Sequence, residues 1–230
     1  MINKMLFNLL CSSTSLRRSA KILNVTFFTV YSRFLWISEL AESAQQEFLN
    51  NYDLNSELYL DEMESIEHTK LKPLTIPLII DQDQRILGIA AGAIPAKGHL
   101  AEISRRKYGF RENLSSVLVA ELLEKLPKLF RPICVKSDGK NSYKELIKRR
   151  WPGVLHELHV RKSDQSKEQL YLNLEKKKFD PMFALNQRCA KLRDDVKRLA
   201  RRNWCTTKKV ENLTKHLIIY ACYNNGLKVI

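Results

Sequence analysis

Two aspartates, Asp61 and Asp138, are the side chains of this 230-residue sequence best suited to do chemistry together. Asp61 sits beside Glu62 and Glu64 in the run 57–65, and Asp138 lies in the Ser137-Asp138-Gly139 stretch that ends the apolar run 132–136. Adjacent carboxylates repel unless a cation lies between them, and hard oxygen ligands of this kind suit Mg²⁺ or Mn²⁺. Paired ions of that type activate an attacking oxygen and stabilise a leaving oxygen in phosphoryl transfer. Taken singly, each acid also has an ordinary role: Asp61 on the solvent face of a strand, Asp138-Gly139 as a turn. The chemistry therefore requires a fold that brings the two together.

The elements around them predict such a fold. Residues 57–65 read as a strand with Leu58 and Leu60 on one face and Tyr59 and Asp61 on the other. Runs 74–80 and 85–94, split by a polar turn, predict a hairpin. Helical periodicity covers 99–107 and 115–129, a short strand covers 132–136, a helix 141–150 and a last strand 154–160. Strands and helices in this order predict an α/β domain with a mixed sheet, antiparallel in its first part. If the first and fourth strands are neighbours, Asp61 and Asp138 meet.

The charge balance sets the partner. Lys and Arg number 39 against 25 Asp and Glu, a net charge of +14, which points to a polyanion, nucleic acid or an anionic membrane surface. No apolar run reaches the roughly 20 residues of a spanning helix. The opening Met5–Leu10 stretch has only a faint resemblance to a signal peptide and runs into Arg17 and Arg18. Five scattered Cys, with no CxxC and no Cys/His cluster, support neither a disulfide framework nor a zinc site and fit a reducing cytoplasm.

Ahead of the sheet, residues 16–33 have the pattern of a helix-turn-helix. Ala20 is the small residue where two helices cross, and Asn24 tolerates a left-handed turn. Thr26 would cap the second helix, and Val30 would pack it back on the first. Thr29, Ser32 and Arg33 would then face a DNA major groove; an ordinary αα-hairpin has the same apolar spacing. After the last strand, a helical zone starts near Pro181, with a pattern through Phe183, Leu185, Cys189, Leu192, Val196 and Leu199 and a further helix over 208–223. Its cations include Arg188, Lys191, Arg198, Arg201 and Arg202, opposed by Asp194 and Asp195. Such a run is either a solvated face or a phosphate-binding surface. Trp151 and Trp204 follow Arg pairs and could stack on unpaired bases or pack in the core, and His68 could assist near the acids or be structural.

Several blocks, in order, resemble one family. Asp61-Glu62-Met63-Glu64, Lys136-Ser137-Asp138, Leu185-Asn186-Gln187-Arg188-Cys189-Ala190, 201–209 and 219–225 look like insertion-sequence transposases with an RNase H-like catalytic core. The resemblance covers nearly the whole chain. It implies an RNase H-like mixed five-stranded sheet flanked by helices over 53–230, preceded by a helix-turn-helix DNA-binding region over 1–52. It also implies a site of Asp61, Asp138 and a third residue, for which Asn186 is the best match where the family usually has Glu. An amide oxygen can bind a metal but brings no charge; Asp194, Asp195, Glu168 and Glu175 are the substitutes. Related enzymes often carry a Cys-rich zinc module before the helix-turn-helix. This chain begins almost at that element and has no such cysteines, the pattern of a shortened copy.

The activity implied is DNA strand cleavage and strand transfer with Mg²⁺ or Mn²⁺: water cuts the element's end, and the resulting 3′-hydroxyl attacks target DNA. The partners implied are double-stranded DNA, terminal repeats and target alike, and further copies of the chain on that DNA. A location at the nucleoid in the cytoplasm follows. The alternatives are a nuclease of the same fold and a DNA-binding repressor without catalysis.

Overall fold

A computed structural model describes residues 2–52, 56–160, 180–200 and 205–230. Among them it has eight α-helices and a mixed, open sheet of six strands. The strands are β1 (Glu57–Ile66), β2 (Pro73–Asp81), β3 (Ile86–Ile89), β4 (Gly92–Ala93), β5 (Cys134–Ser137) and β6 (Leu155–Leu158). Their order is β3-β2-β1-β5-β6, with β4 on β2. β1, β2 and β3 are antiparallel neighbours, whereas β1, β5 and β6 run parallel.

The period-2 pattern of β1 decides what each face meets. Leu58 and Leu60, with Ile79 and Leu87, pack against α5 (Ser115–Lys125) and α6 (Asn141–Arg150) through Val119, Leu122 and Ile147. Tyr59 and Met63, with Ile76 and Ile80, face the opposite layer. That layer holds α1 (Ile2–Leu10), α2 (Leu16–Ile22), α3 (Phe27–Asn50), α7 (Phe183–Asp195) and α8 (Val210–Asn224). β2 is buried from Leu74 to Ile80 and apolar there but for Thr75, as a strand covered on both faces must be. The N-terminal helices thus share one hydrophobic core with the sheet and with the C-terminal helices.

Several boundaries differ from the sequence reading. The apolar stretch at the start is α1, whose Leu6 and Leu10, one turn apart, are fully buried in that core. The expected strand 85–94 is broken into β3 and β4, and the β2–β3 register shifts between Ile79 and Ile80. Gly92 lies so close to Leu118 that an added Cβ would come within 2.4 Å of its Cδ1. α5 stops at Lys125 rather than 129, because Pro127 forces Leu126 into an extended conformation. α4 (Leu100–Tyr108) and α6 fall where the periodicity puts them.

Residues 16–50 form two helices joined by residues 23–26. Asn24 has φ +51°, Ala20 and Val30 are buried, and Ser15 and Thr26 cap the two helices by accepting from the backbone N–H of Arg18 and Thr29. None of the helices among the described residues is long and apolar enough to cross a membrane.

Candidate active site

β1 and β5 are parallel with Leu60 opposite Ser137. Asp61 and Asp138 each lie one residue beyond that pair, so the sheet itself brings together two acids far apart in sequence, across a strand spacing of about 5 Å. The last paired residue of β6, Leu158, lies beside Ser137 on the other side, and His159 donates its N–H to the Ser137 carbonyl at 2.8 Å. Asp61, Asp138, Gly139, His159, Met182 and Asn186 all line one cleft of about 440 Å³. The three expected site residues are thus on one cleft.

α7 supplies Asn186 from the helical layer over β1. Asp180 sets up its start: the carbonyl accepts from Phe183 N–H and Oδ1 accepts from Met182 N–H. The same carboxylate, through Oδ2, accepts from Asn186 Nδ2 at 2.9 Å. With its amide nitrogen committed to Asp180, Asn186 has Oδ1 left to offer the cleft. Two carboxylates and an amide oxygen make an all-oxygen donor set of the kind Mg²⁺ or Mn²⁺ takes. One turn on, Cys189 has its thiol pushed up to about 11 by burial and then by the charge of Asp61, against the opposing pull of Arg193.

Below the acids, on the other face of the sheet, Glu62 is a hub. Its carboxylate accepts from Lys140 Nζ at 2.5 Å, Thr75 Oγ1 at 2.5 Å, Ser115 Oγ at 2.8 Å and Tyr143 OH at 2.8 Å. Burial raises its pKa, but the four donors together outweigh that and hold the carboxyl below the ordinary Glu range. Burial, the charge of Glu62 and then those of Asp138 and Asp61 push the Tyr143 phenol up, so it stays a donor. The network ties β1, β2, α5 and the start of α6 together beneath the cleft. Asp138 Oδ1 accepts from Lys140 N–H at 3.1 Å, which joins its loop to the same network.

Other expected residues are placed differently. Asp194 is exposed at the far end of α7, and Asp195 accepts from Tyr220 OH; neither lines the cleft. Glu168, Glu175, Arg201, Arg202 and Trp204 lie outside the described residues. His68 is away from the acids, its Nδ1 3.1 Å from Lys208 Nζ, whereas His159 lines the cleft with Nε2 3.4 Å from Glu157. Trp151 is a core residue whose indole N–H donates to the Phe130 carbonyl.

The basic run of α7 does not present a uniform face. Leu185, Arg188 and Leu192 form its buried stripe, so Arg188 points inward at 8% exposure and donates to Gln84 Oε1 at 3.3 Å. Arg198 lies in the short 3₁₀ turn Lys197–Leu199, partly buried with its guanidinium 6.0 Å from the Phe34 ring. Phe183, expected inside, is 57% exposed, and Lys191 faces solvent. On α3, Ser32 and Arg33 are exposed, while Thr29 is half-buried with its hydroxyl bonded to Thr26 Oγ1 at 2.9 Å.

Sequence reasoning passed over Asp180, His159 and the Glu62 hub. A carboxylate shortly before the first turn of a helix is a capping signal and could have marked Asp180; His159 and Glu62 act through partners remote in sequence. No protein-family model matches the chain, and no curated protein sequence matches it.

Proposed function

We propose that the chain is a transposase with an RNase H-like core, catalysing metal-dependent DNA cleavage and strand transfer. The single observation that carries this reading is the adjacency of Asp61 and Asp138 beyond a parallel strand pair, on one cleft with Asn186. The strand order with antiparallel β1–β3 and parallel β1, β5 and β6 supports it as well. Held by Asp61, Asp138 and Asn186, Mg²⁺ or Mn²⁺ would supply the charge neutralisation that in-line phosphoryl displacement needs. The chain's own part is positional: the sheet register fixes the two acids, Asp180 turns the Asn186 oxygen toward them, and the Glu62 hub stiffens the floor beneath. Lys191 on α7, and Ser32, Arg33 and the exposed Arg17 and Arg18 of the N-terminal helices, are the candidates for DNA contact.

Nicking of supercoiled plasmid in Mg²⁺ or Mn²⁺ tests the site. Asp61→Ala and Asp138→Ala should each abolish nicking and leave DNA affinity within about twofold; nicking at the parent's rate in both variants would exclude it. Products that join a labelled end to target DNA separate a transposase from a nuclease of the same fold. A DNA-binding repressor without catalysis is the alternative outcome of the same assay. Specific binding without metal-dependent nicking by the parent would establish that reading.

A further inference from the structure

We infer that a hollow beside α4, outside the acid cleft, holds an unstacked nucleobase of the DNA strand; this deepens the DNA reading above and rests on it. α4 ends at Gly109, whose φ of +76° turns the chain back and leaves Phe110 with 84% of its surface exposed. Phe110, Arg105, Arg111, Ala101 and Pro95 line a hollow of about 410 Å³. Its walls are fixed from behind. Ser104 Oγ donates to the Leu71 carbonyl at 2.6 Å, and the largely buried Arg111 donates to the carbonyls of Pro73 and Ile94 at 3.3 and 3.4 Å. The hollow is therefore preformed, so its occupant is not charged for ordering it.

Chemistry and position name the occupant. An exposed ring beside cations is a stacking platform with a phosphate contact, the arrangement that holds unpaired bases. The last turn of α4 carries Arg105, Arg106 and Lys107, and Arg105 is exposed on the rim of the hollow. This charge favours a polyanion over an apolar peptide. Pro95 and Asn113 line both this hollow and the groove that contains Asp61 and Asp138, so the two share a wall. A strand whose phosphate reaches the acids along that groove would pass the wall it shares with the hollow that Phe110 lines.

The test is the affinity of the full chain for a fluorescein-labelled oligothymidylate, with a blunt duplex of equal length in parallel. Stacking on one ring accounts for about tenfold or more in affinity. Phe110→Ala should weaken oligothymidylate binding by about that factor and duplex binding far less, while Phe110→Trp retains it. Arg105→Ala should lower the slope of log affinity against log salt by about 1. Because Phe110 and Arg105 are both exposed, all three variants should melt with the parent. Oligothymidylate binding by Phe110→Ala within twofold of the parent would overturn the inference, whatever the nicking result. The expected loss on Phe110→Ala, together with a parent that fails to nick plasmid, would sink the transposase reading and keep this site.

Discussion

Asn186 shows how one side chain decides between two chemistries. An amide presents a donor on one side and an acceptor on the other, and Asp180 takes the donor. Asp180→Ala frees the amide to rotate and should weaken Mn²⁺ binding several-fold by calorimetry, besides costing about 1 kcal/mol as a lost cap. In an Asn186→Asp background the sign should reverse. There Asp180 faces a second carboxylate at hydrogen-bond distance, and removing it relieves repulsion. An equal effect in both backgrounds would show that Asp180 does not orient residue 186. Glu62→Gln removes a charge from a site built of donors and leaves Lys140 without its ion partner, a loss of about 1–3 kcal/mol in urea unfolding. Asp61 and Asp138 were legible because their strands are. Asp180 was marked only by its place just before a helix, and Glu62 was not legible, because its partners Thr75, Ser115, Lys140 and Tyr143 are remote in sequence.

At the scale of elements, helical phase separates an exposed cation from a packing residue. Arg188 and Arg33 both sit in helices of a strongly basic chain, yet Arg188 falls on the stripe of Leu185 and Leu192 and Arg33 does not. Arg33→Ala should lower the salt slope of DNA binding by about 1. Arg188→Ala should leave the slope unchanged and cost about 1–3 kcal/mol of stability, since it leaves Gln84 short of a partner. A slope reduced equally by both would mean the buried stripe opens on DNA. The first helix carries a related lesson: Leu6 and Leu10 are two apolar residues in a short stretch whose amphipathic face becomes meaningful only against α3 and α8. Leu10→Ala should cost roughly 2–5 kcal/mol, measured by chemical denaturation.

The molecule as a whole is tied together through buried polar groups, and pH should report on them. His216 of α8 is wholly buried, its Nε2 donating to the Leu10 carbonyl at 2.7 Å. Burial, then the charge of Arg198, pushes its pKa down to about 3 despite the opposing hydrogen bond. The folded protein keeps this ring neutral while the unfolded chain protonates it below about 6.5. Stability from this group is therefore complete above pH 6.5 and falls as pH drops from there toward 3. Glu62, with a depressed pKa, adds a loss at lower pH still, below the ordinary carboxylate range. The denaturation midpoint should decline from pH 6.5 downward, and His216→Phe should flatten the part above pH 5; an unchanged curve would place the acid sensitivity elsewhere. Because α1, α3 and α8 share a core with the sheet, far-UV ellipticity and tryptophan fluorescence should follow one transition.

By itself the sequence determined the α/β class, most element positions, the turn at Asn24 with its Thr26 cap, and that Asp61 and Asp138 each lie at a strand; that the two strands are neighbours was decided by the sheet. The former follow from local periodicity, backbone preference or charge carried in a few neighbouring residues. Tertiary structure alone decided that α1 joins the core, that Arg188 turns inward and that Glu62 gathers donors from four other segments. It likewise decided that Phe110 stands exposed on a hollow that shares Pro95 and Asn113 with the groove on the Glu62 side of the acids. These depend on which surfaces meet, and the meeting is set by the sheet order β3-β2-β1-β5-β6 and the helices on its two faces.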